Sequence, residues 1–240
     1  IISAAPVWAA EDIPVNDDIS VSGDYDWTRF AGDHITLNVY NNGLYISDGS
    51  DESVNVLSAF EELTGIKVNY TNYETNEEMY NILKNSGSAY DVIIPSDYMI
   101  AKLIAEDMLL PLDFDNIPNY KNVMEQYKNL DFDKDNKYSV PYTWGVVALV
   151  YNKEMVKEKP KSFDVLWDKE YKGQILMFNN SRDAMAIAMK LKGIDPGVVT
   201  KEDVDTAAGY LRQQKPLLKK YVMDQVFTEM EGGQAALAPY

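Results

Sequence analysis

The chain reads as an α/β protein of two lobes, each a mainly parallel sheet flanked by helices. Three observations predict this. Between residues 35 and 105, period-two apolar strands alternate with helical apolar stripes, joined by crossovers long enough for parallel pairing. The stretch YSVPYTWGVVALVY (138–151) then carries Pro141 and Gly145 inside an extended pattern, which marks a bend or a crossing between lobes. A second alternation of helix and strand follows, up to Ala235–Ala238. With 240 residues, 46% of them hydrophobic, there is chain enough for a sizeable core and too much apolar surface for a disordered acidic protein.

The elements follow in order. Residues 1–10 carry no charge, and Val7-Trp8-Ala9 before Glu11-Asp12 has the form of the end of a secretory signal whose positive segment would lie upstream; a loose apolar terminus is the alternative. No window holds about 18 consecutive apolar residues. Residues 11–33 are acidic and without period and are expected to form a poorly packed arm, so 1–34 is taken as signal remnant or linker. Lobe 1 is expected over 35–140. Ile35, Leu37 and Val39 alternate as a strand. Val54, Leu57, Phe60 and Leu63 form a helix face closed by Thr64-Gly65, and Ile66–Tyr70 is a second strand. Thr75 and Glu78 form a capping box ahead of a helix striped by Met79, Ile82 and Leu83. Asp91–Pro95 is a short buried strand, and Ser96 caps a helix with Met99, Leu103 and Ile104 inward. Ligands in such sheets bind beyond the carboxyl ends of the strands, which directs attention to residues 40–50, 70–75 and 95–98.

Lobe 2 is expected over 141–240. Ser162 caps a short helix through Trp167, Gln174–Phe178 is a strand, and Ser181 caps a helix carrying Met185, Ala188 and Met189. Thr200 and Asp203 open another helix by a capping pattern, and Gly232-Gly233 leads to a final strand at Ala235–Ala238. No internal repeat or low-complexity tract is present.

Composition excludes several classes of function. Twenty-two Lys and Arg against 38 Asp and Glu give a net charge of −16, which disfavours nucleic acid and anionic membrane surfaces and favours cationic ligands. With no cysteine and one histidine, His34, there are no disulfides, thiolate zinc sites or multi-histidine metal sites. His34 itself reads as an exposed loop residue. Asp131, Asp133 and Asp135 have the first three spacings of a calcium loop, but Asn136 and Tyr142 stand where glycine and glutamate are required, so a solvated acidic turn is expected, as for Asp113 and Asp115. Glu61-Glu62 and Glu77-Glu78 read as solvated charges on polar helix faces. Asn69-Tyr70-Thr71 matches a glycosylation sequon but spans a strand end. Trp144 is either a hinge or pocket wall or ordinary core. Neither a nucleotide-binding glycine loop nor a nucleophile elbow occurs.

The ordered series ITLNVYNNGLYI (35–46), FEELTGIKVNY (60–70), YETNEEMYNILK (73–84), YDVIIPSDYMI (90–100), YSVPYTWG (138–145), LWDKEYKGQI (166–175) and EGGQAALAPY (231–240) resembles the polyamine (spermidine/putrescine) substrate-binding proteins of ABC importers, over about residues 35–240. The resemblance implies a two-lobed, hinged fold that closes on a linear diamine or triamine and delivers it to a membrane permease. It also implies an extracytoplasmic monomer without metal or cofactor. Family chains continue well past Tyr240, so the chain resembles their N-terminal two-thirds and each lobe is expected to be incomplete. A polyamine is a methylene rod carrying ammonium groups, and it wants aromatic walls and spaced carboxylates.

Carried over by position, the first loop has Asn42, Gly43, Leu44 and Tyr45 where the family has tryptophan, a small residue, an acid and tyrosine. Ser96 and Tyr98 match positions that meet one end of the ligand. Asp97 between them either adds charge or helps cap its helix. In the second lobe Asn180 replaces an acid and Asp183 keeps one, while Tyr240 matches an aromatic pocket position. Two readings stand beside this one. Asn42, Leu44 and Asn180 soften the negative charge, which suits a different small amine or a less charged solute. Asp97 and Asp183, on opposite lobes, have the residue types of a glycoside hydrolase pair.

Overall fold

A computed structural model of the chain describes residues 11–240 apart from Asp18, Leu44, Asp51, Ser86 and Ser88. The suspected signal remnant at 1–10 and Leu44 of the first loop lie outside the described residues. The chain divides into two units, one ending at Pro141 and one spanning Tyr142–Tyr240.

In the first unit no described residue of the acidic arm 11–33 is buried, as expected of a poorly packed segment, but part of it is regular. β1 (Ile13–Pro14) and β2 (Ser20–Val21) pair as a small antiparallel hairpin, and the turns after it bring Ala31 against Gly65. Gly65 ends α1 (Val56–Thr64) at φ 71°, and a Cβ there would lie 2.9 Å from Ala31 Cα. Both the left-handed backbone and this approach demand glycine.

β3 (Thr36–Asn42) is the central strand, parallel to β4 (Lys67–Tyr73) on one side and β5 (Val92–Ile94) on the other. The crossovers are α1 and α2 (Asn76–Asn85), and α3 (Asp97–Ala105) follows β5. Tyr40, Tyr73, Met79, Met99 and Leu103 form the core between sheet and helices. The stripe expected on α2 is only partly inward: Met79 is fully buried, whereas Ile82 is 37% exposed. Its capping box is displaced by one residue. Thr75 Oγ1 accepts from Glu78 N–H at 3.2 Å, but the Glu78 carboxylate accepts from Glu74 N–H rather than from Thr75. Glu61 is not merely solvated either, since its Oε1 accepts from Val68 N–H at 2.7 Å and so ties α1 to the start of β4.

From Phe114 to Asn136 the first unit runs through four short 3₁₀ turns. Asp131 and Asp135 are exposed, as a solvated acidic turn predicts, but Asp133 between them is not. Asp133 is buried, and its carboxylate accepts from Lys137 N–H (3.1 Å), Tyr138 N–H (3.0 Å) and Ser139 Oγ (2.6 Å). Asn136 is buried beside it and accepts from Tyr120 Oη (2.7 Å) and Asn129 N–H (2.6 Å). These two side chains supply acceptors to three backbone N–H groups of the loop, those of Asn129, Lys137 and Tyr138.

The expected extended segment 138–151 reduces to β6 (Leu149–Tyr151). Trp144 on it is 65% exposed, which removes the core-packing alternative.

In the second unit β6 is antiparallel to β9 (Leu237–Pro239), which is parallel to β7 (Ile175–Phe178), itself parallel to β8 (Leu218–Val222); the order is β6-β9-β7-β8. All four residues of β7 are buried, as befits an interior strand covered on both faces. Leu166, Ile175, Met177, Ile187 and Leu237 anchor the core. Helices α4 (Ser181–Leu191), α5 (Lys201–Gln214) and α6 (Gln225–Glu231) complete the unit. The Thr200–Asp203 capping box on α5 is present in both directions, and Ser162 caps a 3₁₀ turn over Phe163–Trp167. β9 begins two residues later than expected. β8 has no counterpart in the sequence reading, because LKKYV, with two lysines, shows no buried-strand pattern. It is an edge strand, held to α6 by Lys219 Nζ, which donates to Glu229 at 2.6 Å and to Gln234 O at 2.7 Å. Among the described residues no helix is long and apolar enough to cross a membrane.

Candidate functional site

A parallel sheet collects the carboxyl ends of its strands at one edge, so the segments following β3, β4 and β5 gather on one side of the first unit. Asn42 is the last residue of β3, opposite Tyr73 at the end of β4. Gly43 O accepts from Asn72 Nδ2 at 2.7 Å, which pins the first loop to β4. Tyr45, 48% exposed, lies beyond it. Tyr73 is the hub. Its hydroxyl donates to Ile94 O at 2.6 Å, and burial pushes its pKa well up, with the nearby hydroxyls of Tyr45, Tyr98, Tyr40 and Tyr70 adding to the shift. Tyr45 and Tyr98, expected at the ligand from separate loops, thus each lie near Tyr73.

Ser96 stands at the N-cap of α3, but its side chain does not cap the helix. Ser96 Oγ instead accepts from Asn76 Nδ2 and Ser96 N–H donates to Asn76 Oδ1, both at 3.0 Å. Asn76 is 3% exposed and opens α2, so this pair of hydrogen bonds fixes the starts of α2 and α3 against each other. Asp97, exposed on the first turn, accepts from Tyr98 N–H at 2.7 Å. Tyr98 Oη donates to Glu77 Oε1 at 3.1 Å. Glu77, read as a solvated charge, therefore belongs to this group. Glu77 is exposed, as its place on a polar helix face predicts, and the segment that follows β4 leads directly to it.

In the second unit the ends of β7, β8 and β9 also share an edge, since all three are parallel. Asn180, not Ser181, caps α4. Its Oδ1 accepts from Arg182 N–H (2.9 Å) and Asp183 N–H (3.4 Å), and Ser181 is already helical. Either residue type caps well, and the chain enters the helix one residue earlier than the pattern suggested. Asp183, half-buried, stands on the first turn of α4, where the helix dipole favours a carboxylate. Tyr240 follows β9 and exchanges two backbone hydrogen bonds with Ala148 (2.8 and 2.6 Å), while its ring meets Phe227 edge-on at 4.8 Å. Phe227 was not anticipated, because α6 follows the strand that the sequence pattern concealed. Among the described residues no group of three or more His, Asp or Glu could hold a metal ion. What the two sets offer is aromatic faces, hydroxyls and carboxylates, suited to holding an organic cation.

Residues 55–238 match the family described as bacterial extracellular solute-binding protein. The chain is 33% identical over 196 residues to the spermidine/putrescine-binding periplasmic protein of Escherichia coli (strain K12), covering 81% of this chain and 55% of that protein. It thus spans about half the length of the curated relatives it matches. Among solved structures it is similar to the spermidine/putrescine ABC transporter substrate-binding protein PotD from Streptococcus pneumoniae, with 35% identity and a TM-score of 0.64 over 85% of this chain and 62% of that one. The Tp0655 (TpPotD) lipoprotein of Treponema pallidum shares the fold at 24% identity and a TM-score of 0.75, over 85% of this chain and 63% of that one. The fold is of the periplasmic-binding-protein type, as the resemblance implied, and the chain belongs to the bacterial extracellular solute-binding protein family.

Proposed function

We propose that this protein is the extracytoplasmic solute-binding component of an ABC importer for polyamines, which takes up putrescine or spermidine without chemically changing it and passes it to a membrane permease. The observation that carries this reading is the 33% identity to a spermidine/putrescine-binding protein across 81% of the chain. The residues present are consistent with it. Tyr45, Tyr98 and Tyr240 offer aromatic faces to a methylene rod and its ammonium groups, each such contact contributing about 0.5–2 kcal/mol depending on desolvation. Asp183 offers a carboxylate. Ser96 and Asp97 border Tyr98, and Asn42, Gly43 and Asn180 complete the proposed set. Asn42 and Asn180 contribute no charge, which supports a second reading: a smaller or less charged amine as the preferred solute.

Isothermal titration of the intact gene product against putrescine, spermidine, spermine and a monoamine tests both readings. Saturable binding of a diamine or triamine, with the ligand recovered unchanged, is expected. Preference for the monoamine selects the second reading. Capture of a neutral or anionic solute with no response to any amine refutes both.

A further inference from the structure

The four glutamates read as solvated helix charges do not have equivalent surroundings. Glu61 is engaged by Val68 N–H and Glu78 by Glu74 N–H, so each serves the backbone of its own neighbourhood. Glu77 serves none. Among the described residues its hydrogen bond comes from Tyr98 Oη, 21 residues along the chain, and it forms no ion pair with a lysine or arginine. A carboxylate has about four acceptor positions, and the phenol occupies one. The backbone carrying Glu77 is held firmly. Asn76, immediately before it, is buried and joined to Ser96 by two hydrogen bonds, so the first turns of α2 and α3 have a fixed separation. Tyr98 in turn borders Tyr73, beside Tyr45. An exposed carboxylate is therefore presented at the carboxyl edge of the sheet, hydrogen-bonded to an aromatic residue whose ring is a proposed ligand wall.

From this geometry we propose that Glu77 is the ammonium-binding carboxylate of the first unit, with Tyr98 as the residue that positions it. The inference rests on the amine-binding reading above and adds to it the group that meets one cationic end of the ligand. The chemistry is an ion pair between an ammonium and a partly exposed carboxylate. An amine packed on the Tyr98 ring reaches Glu77 without displacing the phenol, because the remaining acceptor positions are open to it.

The test is putrescine titration of the intact gene product carrying Glu77→Gln, Glu77→Asp, Tyr98→Phe or, as a control with the same change in net charge, Glu62→Gln. The expected result is about fivefold weaker binding for Glu77→Gln, the size of a favourable exposed ion pair, with Glu62→Gln within about twofold of wild type on the same scale. Glu77→Asp, which keeps the charge, should bind more tightly than Glu77→Gln. Tyr98→Phe should weaken binding, and less so when Glu77→Gln is already present, since the two residues act as a pair. Wild-type affinity in Glu77→Gln, or equal losses in Glu77→Gln and Glu77→Asp, overturns the role of Glu77 while leaving the amine-binding reading intact. A wild-type protein that ignores putrescine overturns that reading and this inference together.

Discussion

Replacing Asn180 separates its structural duty from its chemical one. The Asn180 side chain accepts from two backbone N–H groups that open α4, and loss of such a cap costs about 1 kcal/mol, within a range of about 0.5–2. α4 packs against α5 and β7, so an opening that exposes it disrupts the second unit's core. Asn180→Ala should therefore lower the opening free energy of the second unit by about 1 kcal/mol, equivalent to roughly fivefold faster amide exchange. Asn180→Asp should fall within about 0.3 kcal/mol of wild type, because aspartate and asparagine cap equally well. Its added charge lies at a helix N-terminus, where the dipole favours it, although it also approaches Asp183. Hydrogen exchange read by mass spectrometry on peptides covering β7 and α4 isolates this unit from the other, which a single melting curve on a two-unit chain does not. Putrescine titration of Asn180→Asp then asks the chemical question, and tighter binding is expected. Unchanged exchange in Asn180→Ala would mean that another group, Ser181 first among them, satisfies the helix start, and the capping argument would be refuted.

Three further outcomes are expected. Hydrogen bonds from Lys84, Lys102 and Tyr80 lower the Glu106 pKa from 4.5 to about 2, so their stabilisation is complete above the ordinary carboxylate range and disappears as pH falls through about 2. Glu106→Gln should flatten the fall in melting temperature between about pH 4.5 and 2, and an unchanged slope would contradict this linkage. On α2, Met79→Ala should cost about 2–5 kcal/mol in urea unfolding and Ile82→Ala about 1 kcal/mol or less, since the first side chain is fully buried and the second 37% exposed. In the second unit Phe227→Ala removes the edge contact that orients Tyr240 and should weaken putrescine binding about two- to tenfold, with little change in urea midpoint.

What was legible in the sequence is what short-range physics controls. The alternation Ile35-Leu37-Val39 marks β3 because side chains alternate across a strand, and Thr200–Asp203 marks the start of α5 because a capping box closes within one turn. The ordered motifs carried the family, and with it the residues to inspect. Other features were decided only when distant segments met. Asp133 is buried because Lys137, Tyr138 and Ser139 turn back on it, and β8 is a strand because β7 lies alongside, not because LKKYV favours one. Asn76 binds Ser96 and Glu77 accepts from Tyr98 across 20 and 21 residues of chain. Periodicity marks where a strand or a helix runs. It does not tell which polar group of another element arrives to take up a donor or acceptor, and in this protein that pairing determines which carboxylates stay in the solvent and which are set beside a tyrosine.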